Sequence, residues 1–153
     1  MKKNRGLTLV EVMVSVAILG VFAGIVGITI GVLTGQRVKS MAADTKSVFQ
    51  STQIAAMGRD DAYIKLSQVG NDVQIIAYSS SGSEINRAEG HGVTMTIKNG
   101  SGNTLTGDVY VHFNRQTGGL SASASDAVST ITFSNGRRTI TLNVSRLTGK
   151  VTY

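Results

Sequence analysis

The 153-residue sequence contains no cysteine, no proline and no tryptophan. Without cysteine there is neither a disulfide to staple the fold nor a thiolate to hold a metal, so a buried apolar core has to supply the stability. Histidine is almost as scarce. His91 and His112 lie far apart, with no H-x-x-x-H or H-E-x-x-H spacing, and no G-x-S-x-G elbow is present. These absences remove the common metal and nucleophile motifs and leave no cofactor implied. Glu84, Glu89 and His91 are close in sequence and could hold a cation, but scattered loop residues at this density usually stay solvated. The chain is not read as an enzyme. Aromatics make up 5% of the residues and are not interleaved with the basic ones, which argues against stacking on single-stranded nucleic acid.

What is present is glycine, 18 residues of it, with abundant serine and threonine, the composition of a body rich in turns and strands. Lys and Arg number 15 against 9 Asp and Glu, for a net charge of +6. Half of that excess is Lys2, Lys3 and Arg5, ahead of an apolar run over residues 7–33 whose 27 residues carry one charge, Glu11. Such a run can cross a hydrocarbon core, which needs roughly 20 helical residues. The preceding positive charge places the N-terminus in the cytoplasm and the remainder outside, and the run is too long for a cleaved secretory signal. An ionised carboxylate at the centre of such a helix costs about 2.5–3.5 kcal/mol on insertion scales. No basic residue in the run can pair with Glu11, so a partner from elsewhere is expected, and an amine made by cutting the chain nearby is the natural candidate.

The order MKKNRG followed by LTLVEV resembles the type IV prepilin signature: a short basic leader ending in glycine, then an apolar stretch with glutamate at its fifth position. The resemblance implies that a prepilin peptidase cuts after Gly6, that the new amine of Leu7 is N-methylated, and that Glu11 complements such an amine, usually a neighbouring subunit's, during assembly. Many members begin with Phe where this chain has Leu7. It further implies other pilin or pseudopilin subunits and an inner-membrane assembly platform as partners. The subunit is then held in the membrane until it enters a pilus or pseudopilus outside it. Many pilins also carry a proline within this helix; lacking one, this chain would have to place any local melting at glycines.

Gly20, Gly24, Gly27, Gly31 and Gly35 recur at spacings of four, three, four and four, which keeps them on one helix face as a close-packing seam. Residues 36–57 continue helically, with Val38, Met41, Val48, Phe49, Ile54 and Met57 at three-, four- and seven-residue spacings and polar residues between them. The pattern then switches to period two. Residues 72–78, 93–97 and 109–113 read as strands, and residues 130–144 as a hairpin turning at Asn135-Gly136. Residues 79–92 and 116–128 lack periodicity and read as exposed loops. The expected fold is α+β and pilin-like, a long N-terminal helix packed on a mostly antiparallel sheet. Its segments are a leader over residues 1–6, a transmembrane and assembly helix over 7–35, an amphipathic extension over 36–58 and a β-rich domain over 59–153.

The C-terminal part is similar to the GspH/FimT pseudopilins or minor pilins. Phe113-Asn114-Arg115 leads to Gly118-Gly119 ahead of the hairpin, and Thr148-Gly149-Lys150-Val151 closes the chain, with lysine where that family has arginine. Over residues 109–153, Arg115, Arg137, Arg138, Arg146 and Lys150 stand against Asp126 alone. These are the candidate contacts for DNA, in an alternative reading as a DNA-binding minor pilin for DNA uptake. The bland reading is solvated turn residues, or cations that pair with acids on the next subunit.

Overall fold

A computed structural model describes residues 8–58 and 61–153, with the side chains of residues 25–34 outside the description. The chain forms two compact units, residues 1–34 and 35–153. Helix α1, Leu9–Met57, begins in the first and ends in the second.

In the first unit α1 is apolar all round. Leu9, Val12, Met13, Val16, Leu19 and Phe22 are all exposed, and among its described side chains the polar ones are confined to Thr8, Glu11 and Ser15 at its start. Among the described residues no helix is long and apolar enough to cross a membrane. The run expected to do so includes Leu7 and the side chains of residues 25–34, which lie outside the described residues.

In the second unit α1 buries one stripe: Val38, Met41, Ala42, Thr45, Val48, Phe49, Thr52 and Ala56. The 3.6-residue repeat puts these positions on one side. The two buried threonines satisfy their hydroxyls inside the helix, Thr45 Oγ1 donating to the Met41 carbonyl and Thr52 Oγ1 to the Val48 carbonyl, each at 2.6 Å. Ile54 and Met57, expected on the apolar face, are instead 72% and 53% exposed. At about 100° per residue Ile54 falls roughly 160° from Val38, so apolar spacing alone misassigned it. The helix ends where the Gly58 amide donates to the carbonyls of Ile54 and Ala55, both at 3.0 Å.

Against the stripe lie two antiparallel sheets. Strands β1 (Tyr63–Val69), β2 (Asp72–Tyr78), β3 (Glu84–His91) and β6 (Val109–His112) form the first, in the order β3-β2-β1-β6. Strands β4 (Thr94–Asn99), β5 (Thr104–Leu105), β7 (Val128–Ser134), β8 (Thr139–Val144) and β9 (Val151–Thr152) form the second, in the order β5-β4-β7-β8-β9. Ile64, Leu66, Val73 and Ile75 from the first sheet, and Ile97, Ile131, Phe133 and Leu142 from the second, join the helix stripe in one core. Phe49 meets Phe113 edge to face at 6.1 Å, and burying a side chain of that size contributes on the order of 3 kcal/mol. The architecture is the α+β, pilin-like one expected.

Two loop expectations are corrected. Residues 79–92 contain β3, an edge strand that pairs with β2 along its length. Its inward positions are Ala88 and Gly90, with Glu84, Arg87, Glu89 and His91 exposed, so its period-two pattern is one of size and charge, invisible to hydropathy. Met41 packs closely on the glycine: its Sδ stands 3.0 Å from where a Cβ on Gly90 would be, so a larger residue there would push the methionine aside. Residues 116–128 are not simply exposed. Gly118, Gly119, Leu120 and Ala127 are buried, and Val128 already begins β7. Strand β1, which carried no expectation, alternates Ile64 and Leu66 inward with Tyr63 and Lys65 outward.

A clamp closes the end of this unit. Gln53 Nε2 on α1 donates to the Gly118 carbonyl at 2.7 Å and the Thr148 carbonyl at 2.5 Å. The Leu120 amide donates to the Arg146 carbonyl at 2.7 Å, tying the two loops to each other. Gly149 has φ of +64°, and a Cβ there would run into the Gly118 carbonyl oxygen. The residues that carried the C-terminal resemblance therefore meet at one point, where backbone passes backbone too closely for a side chain. Gln53→Ala should cost about 1–3 kcal/mol by leaving carbonyls without a donor. Gly149→Ala should cost at least about 1–3 kcal/mol from left-handed backbone strain alone. Thermal unfolding of the full chain in detergent, followed by far-ultraviolet circular dichroism, checks both; unchanged midpoints would show that the clamp holds nothing.

Candidate functional site

Gly6 and Leu7, the expected cleavage and methylation positions, lie outside the described residues. The described chain begins with the cap of α1. The Glu11 amide donates to Thr8 Oγ1 at 3.3 Å and to the Thr8 carbonyl at 3.1 Å. Thr8-x-x-Glu11 is the order of a capping box, a signal present in the sequence but unused in reading it. Glu11 sits in the first helical turn, where the positive end of the helix dipole favours a carboxylate. It is exposed, and among the described residues no cation pairs with it.

Within the first unit, Cβ positions at Gly20 and Gly24 meet nothing within 4 Å. Gly27 and Gly31 belong to α1, with their surroundings outside the description. Gly35 opens the second unit and is approached by Arg138. At 3.6 residues per turn the five glycines share a face, and Glu11 lies about 180° from Gly20 on the opposite one.

The five candidate DNA-contacting residues are all exposed, but they are not gathered. Arg137 and Arg138 occupy the turn between β7 and β8, where Asn135 Oδ1 accepts their amides at 3.1 and 2.9 Å. That turn lies beside α1 at Gly35. Arg146 and Lys150 flank the Leu147–Thr148–Gly149 turn, which lies beside α1 at Gln53. Arg115 lies in the turn just before Gly118, whose carbonyl Gln53 also holds. Gly35 and Gln53 are eighteen residues apart on one helix, about 27 Å at 1.5 Å per residue. The fold thus divides a run that looks continuous in sequence into two groups.

It also assembles a group that the sequence kept apart. Three of the four tyrosines and His112 stand on the outer face of the first sheet. Tyr63 stacks on Tyr78 at 5.4 Å and on His112 at 5.3 Å, and Tyr110 follows at 6.2 Å. Register makes this row: Tyr63 is opposite Tyr78 on β2 and His112 on β6. His112 therefore lies on the outer face of the sheet, between the inward Val111 and Phe113.

The charged groups on the same face are paired with one another. Lys65 meets Asp108 at 2.8 Å, and the hydrogen bond to that carboxylate raises the ammonium above its ordinary value of 10.5. Arg87 meets Glu84 at 2.8 Å and Glu89 at 2.9 Å, the Glu84 bond being the main cause of its raised pKa. His91 Nδ1 meets Asp72 at 3.1 Å. Glu84, Glu89 and His91, considered for a cation, are thus committed to neighbours. Among the described residues no group of acids and histidines gathers in a metal-holding arrangement.

Residues 1–27 match the family model described as the prokaryotic N-terminal methylation motif. No curated protein and no solved structure matches the chain. The matched residues contain Gly6, Leu7, Thr8 and Glu11, and the chain carries a type IV pilin-like prepilin signature at its N-terminus.

Proposed function

We propose that the protein is a structural subunit, a minor pilin or pseudopilin, of a type IV pilus, a type II secretion pseudopilus or a competence pilus. The observation that carries this reading is the methylation motif over residues 1–27, set on the start of a 49-residue helix. Residues 1–6 are the leader, removed by a prepilin peptidase after Gly6. Residues 7–35 are the transmembrane and assembly segment, 36–58 its amphipathic extension and 59–153 the β-rich domain displayed outside. Before assembly the helix is held in the cytoplasmic membrane with its N-terminus inside. An inner-membrane platform then passes it to neighbouring pilin subunits. The GspH/FimT group is the proposed subtype.

Physical chemistry supports the two-environment use of the helix. A segment apolar on every side is equally well buried by lipid or by other apolar helices, and stacked helices gain from small residues that allow close approach. Glu11 and the glycine seam lie on opposite faces. A subunit therefore offers its neighbours two different helix surfaces, the condition for a head-to-tail contact that propagates as a filament instead of closing into a dimer. Glu11 finds its counter-charge in the methylated amine of Leu7 on an adjacent copy.

Mass spectrometry of the protein from cells with an active prepilin peptidase should show a chain starting at Leu7 with one added methyl on its amine. Retention of Met1 to Gly6 would sink the proposal. Glu11→Gln should insert and be cleaved normally yet enter filaments at least about tenfold less, a change equivalent to about 1.4 kcal/mol. Breaking a buried charge pair costs about 3–5 kcal/mol, so this expectation is conservative. Unimpaired incorporation, scored by immunoblot of sheared filaments, would leave Glu11 only its place in the helix cap.

A further inference from the structure

The first residues of the second unit carry a cluster of cations that the sequence scatters across a hundred positions. Arg37 and Lys39 project from α1 just beyond Gly35, and both are exposed. The β7–β8 turn, which carries Arg137 and Arg138, meets the same stretch of helix at Gly35. The Arg138 side chain lies against the helix, its Cδ and Nη1 each 4.0 Å from where a Cβ on Gly35 would stand. Across the helix the Arg37 Nη1 stands 3.4 Å from the corresponding point on Gly92, just past β3.

Charge pairing separates this cluster from Lys65 and Arg87, and its position beside the start of the second unit separates it from Lys98, Arg146 and Lys150, which also form no ion pair among the described residues. Lys65 and Arg87 are each held by acids at 2.8–2.9 Å. Arg37, Lys39, Arg137 and Arg138 form no ion pair with any described residue. Glu89 and His91 line the hollow beside Arg37, Glu89 sharing Arg87 with Glu84 and His91 meeting Asp72. Four exposed positive charges with no ion pair among the described residues therefore lie at one end of the β-rich unit.

We propose that this collar binds the anionic phosphate headgroups of the membrane that holds the unassembled subunit. The inference rests on the proposed membrane-held state. Arg37 and Lys39 follow the last residue of the apolar run, Leu33, by four and six residues, about 6 and 9 Å along a helix. A headgroup layer is roughly 5–8 Å deep on each side of the hydrocarbon core. Long basic side chains reach such a layer while their stems lie along apolar surface. Nucleic acid is the less suitable polyanion. The stacking rings are at the far end of the first sheet, where Tyr78 is six residues along β2 from Asp72, the partner of His91, about 20 Å away. Once the leader takes Lys2, Lys3 and Arg5 with it, the collar is the cationic flank that remains, and it must release its lipids for the subunit to enter a filament.

The absence of cysteine makes a clean test possible. Full-length protein carrying Thr139→Cys, with a fluorophore on the new thiol, is placed in nanodiscs of neutral phosphatidylcholine or of a phosphatidylglycerol mixture, each with a headgroup quencher. Quenching should be at least about fivefold stronger in the anionic discs, the effect of a single cation near such a surface. It should fall to the neutral level in high salt and when Arg37, Lys39, Arg137 and Arg138 are all replaced by Gln. Replacing the two turn arginines with Lys, or Arg146 and Lys150 with Gln, should preserve it. Quenching that ignores lipid charge or the four substitutions overturns the collar. So does a DNA duplex that binds through the same four residues in neutral discs and displaces the anionic lipid. Incorporation into neutral discs reports separately on the apolar helix; exclusion from both kinds of disc defeats the membrane reading and the collar with it.

Discussion

The constraint on which the rest depends is the surface of the first half of α1. Leu9, Val10, Met13, Val16, Leu19 and Phe22 are each more than half exposed. Apolar area in water costs about 25 cal/mol per Å², so a helix bare on all sides cannot remain unaccompanied in an aqueous phase. Lipid or other helices must cover it. This requirement explains why a single carboxylate, Glu11, carries so much weight, since in either surrounding it stands out by its charge. Thr8 and the first turn of the helix give it a local place without giving it a counter-ion.

The second half of the same helix solves the ordinary problem of a small domain. One stripe from Val38 to Ala56 is covered by two sheets, and the other sides remain polar apart from Ile54 and Met57. Gly35 and Gln53 mark the two ends of this packed stretch. At Gly35 Arg138 lies along the helix, and at Gln53 one amide joins two loops that are thirty residues apart in sequence. The hydrogen bonds of Gln53 thereby fasten the loops of the β-rich unit to the end of its helix.

Much of this was legible. Strands β2 and β6, the β7–β8 hairpin and the α+β arrangement follow from periodicity and from Asn135-Gly136. The N-terminal signature follows from the order of Gly6, Leu7 and Glu11. Strand β3 was not legible because its inward residues are Ala88 and Gly90, which pack by being small beneath Met41 and leave no hydrophobic alternation to detect. Ile54 and Met57 were misplaced because a few spacings of three and four can be drawn through more than one face of a helix. The Thr8-x-x-Glu11 cap is written in the sequence too, but at the edge of an apolar run whose pattern is the stronger signal.

Sequence by itself determined the signature at the N-terminus, the apolar character of the helix and the positions of its glycines and its one acid. These are properties of neighbours along the chain, at fixed angular steps about a helix, so they need no knowledge of what lies across the fold. Tertiary structure alone decided where the charges and rings came to rest. It parted Arg137 and Arg138 from Arg146 and Lys150, brought Arg138 to Gly35, two and four residues before Arg37 and Lys39, and set Tyr63, Tyr78, Tyr110 and His112 in a row. Those placements depend on strand register and on which end of a helix each turn meets, and such pairings between distant segments are fixed only when the core closes.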